Sequence, residues 1–419
     1  MRITAVDQPK NTRNTLSIES MSRHAVHALL TNLKIGSLTL EEGGQLLTFG
    51  DREDKRVSAR IRVENGAAFS SVLRDGSTGA GEAYMLGYWD TPDLLEVIRL
   101  FVLNMQVLQN MGKNQSFLRL MAGKLFHLLR QNSLTGSKKN ISAHYDLSNR
   151  FFSLFLDKTM AYSSAVFKHE DDSLEEASIN KFQHICERLQ LKPEDHLLEI
   201  GTGWGGLAIH AAKHFGCKVT TTTISHEQYA YACEWVKKEG LEGHITLLEK
   251  DYRELEGKFD KLVSVEMIEA VGNKYYDNYF STCNSLLKED GLMLIQAITI
   301  SDQRFAESVK NIDFIKRYIF PGGQLPSNSV IADCIARQTD MQLIGLEDIT
   351  QDYAQTLCAW RERFWQRLDE VKQLGCDDVF IRMWNYYLCF CEGGFMERVI
   401  HAGQFLIAKP NFRGQPRIQ

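Results

Sequence analysis

The run LLEIGTGWGG at residues 197–206 joins an apolar strand to a glycine-rich turn, and the helix-forming LAIHAAKHF at 207–215 follows it. Glycine is needed where a backbone bends sharply and must approach a ligand closely, and the helix start supplies free amides. The glycines fall at Gly201, Gly203 and Gly205, two residues after Glu199. A dinucleotide fold would favour G-x-G-x-x-G with an acid about 20 residues further on, so the loop predicts a nucleotide-type ligand of another class. Outward from it, the chain alternates KVTTTTIS, HITLLEKD, FDKLVSVEM and GLMLIQAITI with helical segments from residue 141 onward. That alternation predicts an α/β domain with an open, mainly parallel sheet. Residues 379–410 read as the last strand-like runs, ending in QFLIAKP, and PGGQL at 321–325 reads as an insertion after the fifth strand.

Glu199 with its glycine triplet resembles the first-strand loop of class I S-adenosylmethionine methyltransferases. The resemblance places the nucleoside across the ends of the next strands, at Thr223, Ile224 and Ser225 and at Asp251 and Tyr252. Many such enzymes hold the ribose with an acid at the end of the second strand. This chain has hydroxyls there, and they are expected to substitute together with Gln228.

Upstream, KIGSLTL, QLLTF and VSARIRV between about residues 30 and 73 read as a small antiparallel β unit. After Gly81 the period turns helical, with Thr91 as expected N-cap and Pro92 at the first helical position. Residues 1–115 therefore read as an N-terminal α+β domain, residues 116–140 as a basic amphipathic linker helix, and 141–419 as the catalytic domain. The stretch 97–145 holds no acid but carries Arg99, Lys113, Arg119, Lys124, Arg130, Lys138 and Lys139. Such a segment suits an anionic bilayer surface, each cation adding about 1 kcal/mol. An interdomain helix with its apolar face in a core fits the same composition. The formal charge of −5 excludes the overall basic excess of a dedicated nucleic-acid binder. No apolar run reaches the 18 residues of a bilayer span, and the N-terminus lacks a signal-type apolar region, so neither export nor membrane spanning is expected. The nine cysteines include no C-x-x-C pair, which predicts free thiols and no metal site.

Six motifs in order, HYDLSNRFFSLFLDKTMAYSSAVF (144–167), LLEIGTGWGG, DYREL (251–255), VEMIEAVG (265–272), IFPGGQLPS (319–327) and DYAQTLCAW (352–360), resemble cyclopropane-fatty-acyl-phospholipid synthases. GEAYMLGYWD resembles the N-terminal domain of full-length bacterial members, so the likeness covers nearly the whole chain. It implies a class I methyltransferase, Rossmann-like sheet with helical cover and a smaller N-terminal α+β domain. It also implies transfer of the S-adenosylmethionine methyl group to a cis double bond of a phospholipid acyl chain. The resulting carbocation then loses a proton from the new methyl to close the ring, and in the family a bound bicarbonate takes that proton. By the resemblance, Glu269 orients bicarbonate with Tyr353 as its partner and Ile298 gives a backbone contact. Tyr162, Ser163, Glu199, Gly201, Gly203, Trp204, Gly205, Thr223, Ile224, Ser225, Gln228, Asp251 and Tyr252 match the cofactor contacts. The resemblance places His144 near the cofactor motif, as a structural residue in the first place and a general base in the second. The implied partner is an unsaturated phospholipid bilayer, met peripherally on the inner face of the cytoplasmic membrane. The resemblance admits a homodimer, which the residues do not fix.

Three positions near the implied bicarbonate depart from the common bacterial pattern: Ser164 replaces a cysteine, Gln296 a histidine, and Ala270 the histidine after the glutamate. Serine and glutamine keep hydrogen-bonding capacity, while the titratable imidazole is lost. YSSAVF and EMIEAVG resemble plant-type synthase domains. The same changes leave open methyl or methylene branching of the acyl chain, in which the cation loses a different proton. They also leave open a non-catalytic paralogue, against which Glu269, Tyr353 and the intact glycine loop argue.

Overall fold

The computed structural model describes residues 12–105 and 148–414. The expected linker helix at 116–140 and His144 lie outside the described residues. The chain divides into two compact units: residues up to Lys139 together with Asp377–Tyr386, and the remainder.

In the first unit, strands β1 (Ser37–Glu42), β2 (Gln45–Gly50), β3 (Ser58–Val63) and β4 (Trp89–Asp90) form a sheet in the order β2-β1-β3-β4. The sheet is mixed, which corrects the antiparallel expectation. Gly50 and Ser58 both pair with Ser37, so the loop between them only has to cross below the start of β1, and β3 then runs parallel to it. Leu38 and Leu40 point inward by strand alternation and are buried, as are Val57, Phe69 and Leu100 of the same unit. Helix Ala67–Met85 begins well before Gly81 and is interrupted at Gly76, whose φ of 59° a side chain would resist. The next helix, Leu94–Leu103, is capped by Asp93, whose carboxylate accepts from the Glu96 amide, and not by Thr91. Residues Asp377–Tyr386 complete this unit. The Arg382 guanidinium lies 3.9 Å from the Tyr84 ring centroid and donates to Trp89 O at 2.9 Å.

The second unit is built on seven strands. These are β5 (His196–Ile200), β6 (Lys218–Thr223), β7 (Ile245–Glu249), β8 (Phe259–Val265), β9 (Leu287–Ile300), β10 (Gln342–Asp348) and β11 (Ile400–Ala408), in the order β10-β11-β9-β8-β5-β6-β7. Strands β5 to β9 are mutually parallel, and β11 enters antiparallel between β9 and β10. Successive residues feed opposite cores: Leu197, Val263 and Leu294 face helices Leu174–Arg188 and Gly206–Phe215, while Leu198, Leu262 and Met293 face helix Tyr276–Leu286. A parallel sheet covered on both faces explains the nearly continuous apolar strands. The order reverses at β5, between β6 and β8, where doubly wound sheets open a crevice at the strand ends.

The region 379–410 holds one strand only, β11. Residues Asp378–Met396 form a helix whose aromatic run is buried over much of its circumference, which hides the helical period. All nine cysteines are free thiols. Among the described residues no helix is long and apolar enough to cross a membrane.

Candidate active site

The glycine loop follows β5 directly. Gly201 and Thr202 both donate their amides to Thr222 O at 3.0 Å, tying the turn to β6. Gly201, Gly203 and Gly205 have φ of 101°, 53° and 98°. A side chain on Gly203 would meet nothing within 4 Å, so its backbone faces open space, as a ligand cradle requires. Trp204 is buried beneath the loop and donates to Asn149 Oδ1 at 2.7 Å. Glu199 is buried; it accepts from Thr221 Oγ1 at 2.6 Å, and burial pushes its pKa up to about 8.

The strand ends beyond the loop are less uniform. Ile224 is 78 % exposed at the end of β6, an apolar surface available to a flat ring. Thr223 donates to Gln228 Oε1 at 3.0 Å, and Ser225 caps the following helix through the Gln228 amide. Asp251 uses both carboxylate oxygens on Arg253 and stands in a capping role, while half-buried Tyr252 packs on Tyr279. The open glycine backbone, the exposed Ile224 and the hydroxyl-bearing end of β6 fit S-adenosylmethionine. In that fit Gly201, Gly203 and Gly205 would hold it, and it would supply an activated methyl.

At the ends of β8 and β9 lie two partly buried carboxylates, Glu266 and Glu269. Glu269, on the short helix Ile268–Val271, accepts from the Ile298 amide at 2.5 Å through Oε1, and its buried Oε2 has no partner. Burial, then the neighbouring Glu266 charge, push its pKa up to about 8. The PGGQL insertion packs over this helix: Gln324 donates its amide to Glu269 O at 2.8 Å, and its side chain is held by Lys316 at 2.7 Å and Ser308 at 2.9 Å.

Glu266 is the residue the sequence reading passed over, although it sits inside the quoted VEMIEAVG motif. Its φ is 49°, uncommon for a residue with a side chain and typical of functional positions. Its Oε1 accepts from the Ser164 amide and from Gln296 Nε2, both at 2.8 Å, and its Oε2 accepts from Tyr353 OH at 2.6 Å. Ser164, Gln296 and Tyr353 are thus brought together around Glu266, and Tyr353 is not the partner of Glu269. The remaining capacity of these groups is also engaged. Ser164 Oγ donates to Ala165 O at 2.9 Å, Gln296 Nε2 reaches Ser164 O at 3.2 Å, and Gln296 Oε1 accepts from Gln404 at 3.0 Å. With Ile298 N–H taken by Glu269, the residues expected to hold bicarbonate do not fit that anion in addition to Glu266.

Lys181 was missed as well. It occupies a core position of the helix pattern, between buried Ala177, Ser178 and Ile185, where a lysine is out of place unless paired. It donates to Ser163 Oγ at 2.7 Å, and burial pushes its pKa down to about 8 against the pull of Glu266, Asp157 and Glu199. The DYAQT motif gains a physical reason: Asp352 accepts from the Phe167 amide at 2.8 Å and Thr356 from the Ala165 amide at 3.0 Å, so one helix face fixes the whole YSSAVF strap. Around the carboxylates stand aromatic faces. Tyr162 lies 5.2 Å from Phe152 and from Trp360, and its hydroxyl meets that of Tyr387 at 2.9 Å. Phe320 closes on Tyr387 at 6.1 Å.

Comparison with known proteins bears on this geometry. Residues 132–405 match the family profile described as mycolic acid cyclopropane synthetase. The chain is 38 % identical over 353 residues to the cyclopropane-fatty-acyl-phospholipid synthase of Escherichia coli K12, covering 84 % of this chain and 88 % of that one. It is 36 % identical over 345 residues to the tuberculostearic acid methyltransferase UfaA1 of Mycobacterium tuberculosis, covering 81 % and 80 %. Among solved structures it is similar to the mycolic acid cyclopropane synthase CmaA1 complexed with SAH and CTAB, with TM-score 0.59 and 31 % identity over 65 % of this chain and 98 % of that one.

Proposed function

This chain belongs to the mycolic acid cyclopropane synthetase family, as an S-adenosylmethionine-dependent methyltransferase, and from that premise we propose that it is a cyclopropane-fatty-acyl-phospholipid synthase. The observation that carries the reading is the pair of carboxylates enclosed by aromatic faces at the ends of β8 and β9, in the same unit as the glycine loop.

Adding a methylene across a cis double bond generates a carbocation, and the site must stabilise it, keep water from it and remove a proton. The faces of Tyr162, Phe152, Trp360 and Phe320 offer the negative quadrupole that a cation seeks, worth about 2 kcal/mol when desolvated. Exposed Val309, Ile312 and Phe320 in the segment after β9 give an apolar approach suited to an acyl chain. Bicarbonate is not carried into this reading, because its expected donors are engaged with Glu266. Action at a bilayer, peripherally and from the cytoplasmic side, is part of the proposal, supported by the acid-free composition of residues 97–145.

A second reading, methyl or methylene branching of the same chains, is favoured by one observation: the similarity to the tuberculostearic acid methyltransferase is nearly as high as that to the phospholipid synthase. Incubation with S-adenosylmethionine and cis-unsaturated phospholipid vesicles, followed by proton NMR of the acyl chains, separates them. Upfield ring protons are expected; vinylidene or branched-methyl signals would establish the second reading, and acyl-chain signals unchanged from the starting phospholipid would defeat both.

A further inference from the structure

We propose that the Glu266 carboxylate is the resident base of this enzyme, standing in the place of a bound bicarbonate and receiving the proton that leaves the alkylated chain. The inference rests on the methyl-transfer reading above and concerns which group accepts the proton.

Ser164 N–H, Gln296 Nε2 and Tyr353 OH converge on one carboxylate, at 2.8, 2.8 and 2.6 Å, and that carboxylate is covalently part of the chain. Three donors around two oxygens are the surroundings of an anion. Among the described residues, the charged and titratable groups facing Glu266 are Lys181, Glu269, Tyr162, Tyr353 and Tyr387, of which Lys181 is the cation. The two glutamates then divide their roles by environment. Glu269 has one donor and an unpartnered oxygen, which favours its neutral form. Burial raises the Glu266 pKa as well, but three donors oppose that rise where Glu269 has one, so of the two Glu266 is the one whose hydrogen bonds favour the anion. Hydrogen bonds to both of its oxygens also fix the orientation of the carboxylate in the site.

When bound, S-adenosylmethionine supplies the methyl: the alkene π pair forms the new C–C bond, the C–S pair stays on sulfur, and the positive charge moves to the second alkene carbon. A C–H bond of the new methyl then breaks, its electron pair closes the ring, and its proton passes to a Glu266 carboxylate oxygen. The resulting neutral acid returns the proton to solvent before the next turnover.

The test needs no turnover in its first arm. Titration with ¹³C-bicarbonate followed by NMR should show no saturable binding to the wild-type protein and saturable binding to Glu266→Gly. In that variant the three donors are freed, and the positive φ suits glycine. In the second arm, S-adenosylhomocysteine release is measured on unsaturated phospholipid vesicles in carbon-dioxide-free buffer. Wild-type turnover should be indifferent to added bicarbonate, Glu266→Gln should lose about a hundredfold or more, and Glu266→Gly should recover on addition of bicarbonate or formate. Saturable bicarbonate binding to the wild-type protein, a wild-type requirement for bicarbonate, or full turnover by Glu266→Gln would overturn the proposal. A wild-type enzyme silent on phospholipid would defeat the substrate reading alone, and the binding arm would still decide the role of Glu266.

Discussion

Among the described residues, Glu269 carries the buried carboxylate oxygen at the site that has no partner, and its other oxygen holds the Ile298 amide. Glu269→Gln should leave S-adenosylmethionine affinity unchanged by calorimetry and reduce turnover by about tenfold or more, because it alters a group aimed at chemistry and not at the cofactor. Equal loss of both would make it a folding residue. Glu199 makes a different prediction. Burial raises its pKa from 4.5 to about 8, so between those values the folded protein holds a proton that the unfolded chain has released. Its stabilising contribution is therefore complete below the unfolded value and is lost as pH rises through the folded one. Thermal melts of Glu199→Gln should show a flatter fall in stability between about pH 5 and 8 than the wild type. At this scale the sequence carried the motif residues but not their pairings. Glu269 and Tyr353 stand in the right motifs, yet the tyrosine turns to Glu266, because a hydrogen bond depends on a backbone twist that no residue spacing encodes.

The glycine loop separates two effects that a single motif conflates. Gly205 combines a φ of 98° with a contact of 3.2 Å between an added side-chain carbon and Ala232 Cβ, whereas Gly203 at 53° faces open space. Gly205→Ala should destabilise the fold by about 1–3 kcal/mol in chemical denaturation. Gly203→Ala should be milder in stability and should weaken cofactor binding, measured by calorimetry, because its new methyl occupies the ligand's approach. Elements with a clean period were legible: the parallel strands, the loop after β5 and helix Gly206–Phe215 follow from apolar runs and glycine placement. The helix Asp378–Met396 was not, since a segment apolar on most sides shows neither period. Helix Ala67–Met85 was read late because its glycines mimic turn punctuation.

On the scale of the whole chain, the surplus of cations in 97–145 predicts salt-sensitive membrane attachment. The protein should sediment with anionic vesicles at low ionic strength and be released as salt shortens the Debye length. Retention in high salt would point to apolar insertion, and no sedimentation at any salt would remove the bilayer from the proposal. The composition gave this expectation and the sequence pattern a break at 116–140, while the membership of Asp377–Tyr386 in the first unit comes only from tertiary contact, because these ten residues lie far along the chain from the rest of it.

That division has a consequence for biosynthesis. Tyr84 and Trp89 emerge from the ribosome early, but the guanidinium that covers the one and binds the carbonyl of the other belongs to Arg382. Asn385, which reaches the Tyr84 hydroxyl at 3.1 Å, comes later still. The first-made unit must therefore wait, incomplete, while nearly the whole catalytic sequence is translated, and it closes only when the last tenth of the polypeptide is being made.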